Sequence, residues 1–108
     1  MMIIAAVPGM YPEIMQVWEL SVRATHHFIP EDYIAEIKKL LPGILPQVNL
    51  VVYKAANDVI QGFAGVSGQK LEMLFVLPGQ RGSGIGRQLL AYCIKTLQVN
   101  EVDVNEQN

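Results

Sequence analysis

LFVLPGQRGSGIGRQLL, Leu74 to Leu90, is the most informative stretch of the chain. It opens on apolar residues suited to a strand, breaks at Pro78-Gly79, and closes on a helical apolar pattern. Between these, Gly82, Gly84 and Gly86 stand at alternate positions, with Arg81 and Arg87 at the two ends. Glycine weakens the start of a helix, so its repeated use there needs a reason. Backbone N–H groups at a helix start have no partner within the helix, and the aligned peptide dipoles add partial positive charge. Such an end binds phosphate when side chains do not block the approach. Glycines remove the Cβ and allow φ > 0, so successive amides can converge on one anion. Arg81 adds a charge-assisted donor. The expectation is a phosphate site between the strand end at Leu77 and a helix starting near Ile85.

Two familiar phosphate loops fail on spacing. A G-x-G-x-x-G reading from Gly82 puts its last position on Arg87, and a P-loop reading from Gly79 needs lysine where Ile85 stands. The alternative is a glycine-rich tight turn that only joins strand to helix.

Working outward, Met2 to Ala6 reads as a first strand stopped by Pro8-Gly9. Pro12 sits at a helix start, and Ile14, Val17, Trp18, Ser21, Val22 and Thr25 give an amphipathic helix up to about His27. Pro30, Glu31 and Asp32 open a second helix with Ile34, Ile37, Leu40 and Leu41 on one side, ending before Pro42-Gly43. Val48 to Ala55 and Val59 to Ser67 form a hairpin across Asn57-Asp58. Gly62 and Gly65 interrupt the returning strand, which points to close packing or a bulge. KLEMLFVL, Lys70 to Leu77, is a third strand. Ile85, Leu89, Leu90, Cys93, Ile94 and Leu97 mark a helix of about three turns, and Glu101 to Asn105 a final short strand.

The chain has 108 residues, 51% of them hydrophobic and 17% charged. That is one small domain burying roughly two-thirds of its unfolded surface, and it is not the composition of a disordered chain. A formal net charge of −2 without a basic patch speaks against nucleic acid as a partner. The single cysteine, Cys93, cannot form an internal disulfide and fits a reducing, cytoplasmic setting. No apolar run approaches the roughly 18 residues of a membrane span, so no membrane partner is expected. The N-terminal MMIIAAV is short and lacks a basic flank, which makes it a strand rather than a signal peptide.

With this element order around it, the loop resembles that of the GNAT superfamily of acyl-CoA-dependent N-acyltransferases. The family signature is Arg or Gln, two residues, Gly, one residue, then Gly or Ala. Arg81-Gly82-Ser83-Gly84-Ile85-Gly86 meets it. Leu74 to Leu90 looks like the family's fourth strand, pyrophosphate loop and third helix, and the elements before it look like the N-terminal half. The resemblance covers nearly the whole chain. It implies an α/β fold with a mixed sheet, in the order β-α-α-β-β-β-α-β, as a single domain over residues 1–108.

The resemblance further implies acetyl-CoA, or another acyl-CoA, as donor. By position, the N–H groups of Gly82, Ser83, Gly84, Ile85 and Gly86 would hold the pyrophosphate, with Arg81 and Arg87 nearby. The pantetheine arm would pair like a short extra strand with the main chain of Leu74, Phe75 and Val76. A strand edge has free N–H and C=O groups for this, and a bulge would splay the strand from its neighbour and open the slot. The implied reaction is direct attack of a primary amine on the thioester. The site must then accept a proton, and a backbone N–H near Val76 is suited to hold the thioester oxygen.

Glu72 is the first candidate base. It stands two residues before Leu74, so period two puts both side chains on one face, and a carboxylate near apolar residues suits base work. A solvent-facing strand glutamate is the alternative. His26 is a second candidate: it and His27 close the first helix, where substrate reaches in this family, and imidazole titrates in the useful range. Histidines capping a helix C-terminus are the alternative. Trp18, Thr25 and Phe28 are candidates to line an acceptor pocket, against the usual core role of such a tryptophan. Cys93 reads as inert packing and Tyr92 as a helix-surface residue. No metal site is assigned.

The sequence departs from the family pattern at VNEQN, where relatives usually continue into a further helix and two strands. Asn105 and Asn108 look like the start of that segment, and Asn108 would be the asparagine beside the pantetheine arm. The tyrosine that often protonates the departing thiolate has no counterpart. The expectation is a truncated chain that self-associates as a homo-oligomer through the unpaired strand edge at Glu101 to Asn105. The leading reading is an N-acetyltransferase acting on an unknown amine. The alternatives are a non-catalytic acyl-CoA-binding module or truncated remnant acting through self-association, and a small α/β interaction domain whose glycine loop is only a turn.

Overall fold

Strand phase and two turns build the sheet. The computed structural model describes residues 2–25, 29–80 and 82–102. Among the described residues five strands, β1 (Met2–Ala5), β2 (Asn49–Lys54), β3 (Ile60–Ser67), β4 (Lys70–Val76) and β5 (Glu101–Val102), lie in the order β1-β2-β3-β4-β5. The first four are antiparallel and β5 runs parallel to β4. At the β2–β3 turn Asp58 takes a φ of 71° and Lys54 Nζ reaches its carboxylate at 3.1 Å. Asn57 Oδ1 accepts the Val59 N–H at 3.2 Å, as asparagine does in tight turns. The described α-helices, α1 (Tyr11–Thr25), α2 (Glu31–Ile44) and α3 (Ile85–Thr96), complete the expected order.

The helices cover both faces of the sheet. On one face α1 and α2 bury Ile14, Val17, Trp18, Val22, Ile34 and Leu41 against Leu50, Val52, Ile60 and Phe63. On the other, α3 buries Ile85, Leu89 and Cys93 against Val51, Tyr53, Ala64, Val66 and Leu71. Both faces being covered explains why β2 and β3 read as continuous apolar runs.

The glycines of β3 do both things expected of them. A Cβ on Gly62 would lie 3.1 Å from Ile85 Cγ2 and from the Phe75 carbonyl oxygen, so the bare backbone lets α3 approach. Gly65 adjoins a bulge: it pairs with Met73, while Val66 pairs with Leu71, leaving Glu72 as the extra residue of β4. A second bulge makes Gln61 the extra residue of β3, since Lys54 pairs with Ile60 and Tyr53 with Gly62. Beside it, Glu13 of α1 accepts the Ile60 N–H at 2.9 Å.

Two expectations are corrected. The second helix does not end before Pro42; it continues to Ile44 with Pro42 inside. Proline deprives the Lys38 carbonyl of its donor, but Lys38 is exposed and water can serve there. Leu40 does not share the buried side of Ile34 and Leu41, being 57% exposed, and Ile94 of α3 is 49% exposed. The fifth strand is described only as Glu101–Val102, with 103–105 outside the described residues.

Charged side chains join α1 to α2. Arg23 Nε donates to Glu19 at 2.8 Å, its terminal nitrogens donate to Glu31, and Lys38 Nζ lies 2.9 Å from Glu19. Glu19 is held below the ordinary carboxylate range, first by the hydrogen bond from Lys38 and then by that from Arg23. Glu31 is lowered by Arg23.

Candidate functional site

The end of β4 supplies main chain to one edge. The Leu77 N–H donates to the Gln61 carbonyl at 2.9 Å. Antiparallel neighbours alternate between exchanging both bonds and none. Phe75, two residues back and opposite Phe63, therefore turns its main chain toward β3 as well. Leu74 and Val76 turn their N–H and C=O groups to the other edge. Among the described residues that edge is paired only at Lys70 and Leu71, with Glu101 and Val102. The Glu72 bulge stands where this pairing stops.

The glycine loop then leads into α3. A single 3-10 turn, Pro78–Gln80, closes on the Leu77 carbonyl through the Gln80 N–H at 2.9 Å. Ser83 donates its N–H to the Gln80 carbonyl at 3.3 Å and turns its hydroxyl to the same oxygen. Gly82 and Gly84 have φ of 84° and 90°, values that side-chain-bearing residues rarely adopt. Gly84 is the N-cap of α3, so no side chain caps this helix, and its carbonyl accepts the Gln88 N–H at 2.9 Å. The amides of Ile85, Gly86 and Arg87 start the helix with no acceptor inside it.

Gly86 differs from the other two. A Cβ there would meet only Val76 Cγ2, at 3.7 Å, an ordinary contact. Neither packing nor φ demands glycine at this position. Its bareness leaves room over the first turn of α3, beside the free edge of Val76.

The remaining candidates separate. Arg81, His26 and Asn108 lie outside the described residues, as do His27, Phe28 and Asn105. Arg87 is exposed on the first turn of α3. Glu72 is exposed, with its carboxylate 3.7 Å from Lys70 Nζ. The alternation that put Glu72 beside Leu74 is interrupted: Leu71 packs with the α3 side, whereas Met73 and Phe75 pack with the α1 side. The bulge reverses the phase at Glu72. Trp18 is 6% exposed and belongs to the core under α1 rather than to a pocket wall. Thr25 donates its hydroxyl to the Ser21 carbonyl at 2.9 Å. Cys93 is fully buried, and burial pushes its thiol pKa up, in keeping with inert packing. Tyr92 is half-buried against the α3-side core. Sequence reasoning treated Leu74, Phe75 and Val76 alike; ladder phase separates Phe75 from the other two.

An edge-open strand, two left-handed glycines and an uncapped helix start follow one another over residues 74–87. The chain is similar to known proteins. Residues 20–108 match the model of the acetyltransferase (GNAT) domain. The peptidyl-lysine N-acetyltransferase YjaB of Escherichia coli strain K12 is 36% identical over 96 residues, which cover 89% of this chain. The match covers 65% of that protein's length. The solution structure of apo YjaB from Escherichia coli superposes with a TM-score of 0.85 at 34% identity, over 99% of this chain and 73% of that one. PaiA N-acetyltransferase from Thermoplasma acidophilum, solved in complex with coenzyme A, shares the fold with a TM-score of 0.74 at 20% identity, over 100% of this chain and 82% of that one. The loop, the sheet order and these matches agree, and the chain belongs to the GNAT acetyltransferase family.

Proposed function

We propose that this chain carries the acyl-CoA site of an N-acetyltransferase that modifies a lysine side-chain amine on a peptide or protein. The observation that carries the reading is the uncapped start of α3, reached through Gly82 and Gly84 directly after the open edge of β4. The lysine acceptor is supported by the activity named for YjaB. Acetyl-CoA as donor is supported by family membership.

The chain's own groups have distinct roles in this reading. The amides from Gly82 to Gly86 hold the pyrophosphate at the positive end of α3, with the Arg81 and Arg87 guanidiniums beside it. Leu74 and Val76 pair with the pantetheine amides, while the Phe75 main chain stays in the ladder with β3 and only its position in the strand matters. The Val76 N–H faces the slot and is available to a carbonyl oxygen of the pantetheine arm, with the thioester further along β4. Glu72, at the rim where β5 pairing ends, takes the proton from the attacking amine, directly or through water. His26 is a second candidate for that proton, and Asn108 a contact for the arm. The donor brings an activated acyl thioester.

The chain acts as a single domain. Its proposed setting is the reducing cytoplasm, where a lone thiol such as Cys93 persists. No described helix is long and apolar enough to cross a membrane. Self-association through the outer edge of β5, the last strand in the sheet order, is part of the proposal. A mass in light scattering that stays monomeric across micromolar concentrations would remove it.

The test is titration with coenzyme A, followed by calorimetry and by amide resonances. Shifts concentrated at Gly82 through Arg87 and at Leu74 and Val76 are expected. Unmoved resonances there would end the reading. Turnover on lysine peptides then tests the acceptor.

A further inference from the structure

We propose that Lys70 is itself an acyl acceptor, modified on its ε-amine by the thioester held along β4. The inference rests on the acyl-CoA reading above and adds a modification site within the chain.

The chain has lysines at 38, 39, 54, 70 and 95, and Lys70 is the one on β4. A diphosphate on the first turn of α3 fixes one end of the bound arm beside Val76. Main-chain groups facing the slot recur every second residue, about 6.6 Å apart along a strand. Two amides paired with Val76 and then Leu74 bring the next group of the arm level with Glu72. That is where the reacting carbonyl lies. Lys70 is two residues further along. Its Nζ already turns back to within 3.7 Å of Glu72 Oε1. Its side chain is 38% exposed. Lys38, beside Glu19 on the α1–α2 pair, and Lys54, beside Asp58 at the β2–β3 turn, stand on other elements.

The step balances. The Lys70 ammonium gives a proton to Glu72 or to water. The nitrogen lone pair forms the C–N bond at the thioester carbonyl carbon, the C–S bond breaks, and the second proton lost from the nitrogen is taken up by the thiolate, which leaves as coenzyme A. The product amide has no charge, so the Lys70–Glu72 pair is lost and the carboxylate is released.

Purified full chain is incubated with acetyl-CoA, and its peptides are read by mass spectrometry. One acetyl group per chain at Lys70 is expected, at a rate per molecule that does not change on dilution. Lys70→Arg should lose that label, and Lys39→Arg should keep it. Coenzyme A alone, which has no acyl group to give, should slow reductive methylation of Lys70 and leave Lys39 unaffected. Bound acetyl-CoA without label at Lys70, or label spread equally over the lysines, would overturn the proposal while leaving the acyl-CoA reading intact. No binding of acetyl-CoA at all would overturn the acyl-CoA reading itself, and the proposal with it.

Discussion

Gly86→Ala separates the two reasons a helix start can be rich in glycine. If glycine is there for the fold, alanine must hurt the fold; if it is there for a ligand, alanine must hurt the ligand alone. The new Cβ meets Val76 Cγ2 at 3.7 Å, which is contact without clash, and Gly86 has none of the positive φ of Gly82 and Gly84. Alanine is favoured over glycine inside a helix by about 0.8–1 kcal/mol, and somewhat less in a first turn. A gain of about 0.5–1 kcal/mol raises the Tm of a domain this size by roughly 2–6 °C. The same methyl stands over the amides proposed to hold pyrophosphate. Losing or lengthening one charge-assisted bond costs about 1.5–3 kcal/mol, or roughly 10- to 100-fold in Kd. Thermal melts and calorimetry with coenzyme A at one fixed salt concentration read the two effects. Higher Tm with weaker binding is expected. Equal affinity in variant and parent refutes the phosphate role, and a lower Tm refutes the open space above Gly86. Gly84→Ala is a poorer probe, because at φ 90° alanine carries roughly 1–2 kcal/mol of backbone strain that mixes folding with binding.

Gly62→Ala should do the opposite of Gly86→Ala. Its Cβ would sit 3.1 Å from Ile85 Cγ2 and 3.2 Å from Leu89 Cδ1, and overpacking of this kind costs about 1–3 kcal/mol in urea unfolding. Glu72→Gln should lower kcat on a lysine peptide about 10²-fold and leave the Kd for coenzyme A nearly unchanged, as expected for a lost general base; an unchanged pH–rate profile would remove it from that role. The Glu19 and Glu31 carboxylates have folded pKa values below their unfolded ones, so their contribution to stability is complete above about pH 4.3 and falls as pH drops through the folded values. Arg23→Gln should therefore lower Tm slightly near pH 7, change it little in acid below the folded values, and so flatten the acid limb of a Tm-against-pH curve.

Local chemistry made most of the fold legible. Asn57-Asp58 marked its hairpin, Pro78 ended β4, and the apolar spacing of Ile85, Leu89 and Cys93 gave α3 its buried face. Proline 42 misled, because the rule that it ends a helix assumes the orphaned carbonyl has no access to water. Leu40 and Ile94 misled for another reason. Apolar spacing gives the direction of a stripe but not its width: Ile34 and Leu41 of α2 and Ile85, Leu89 and Cys93 of α3 are buried, while Leu40 and Ile94 are not. The glycine loop was legible as the break between β4 and α3. Which of its glycines serve backbone conformation and which leave space was not, since φ is a property of the closed loop and Gly82, Gly84 and Gly86 read identically. The face of Glu72 was not legible either, because strict alternation contains no bulge.

The bulge nevertheless has a cause in the sequence. In KLEMLFVL, Glu72 is the one charged residue after Lys70, and every residue from Met73 to Leu77 is apolar and at least partly buried. β4 is covered on both faces, by α1 on one side and α3 on the other. Without an extra residue, Glu72 would share the face of Leu74 and Val76 and lie under α3. Sinking a carboxylate into that apolar layer without a partner costs several kcal/mol. Skipping a ladder position at Glu72 lets Leu71 stay with Val66 and Cys93 while Met73 and Phe75 join Phe63 on the opposite face, their rings 5.5 Å apart in the case of the two phenylalanines. The carboxylate then stays exposed beside Lys70. The β4–β5 pairing stops at the same place, at Leu71 and Val102. One misfit residue in an otherwise apolar strand thus sets both the carboxylate at the rim and the start of the open edge that runs to the glycine loop.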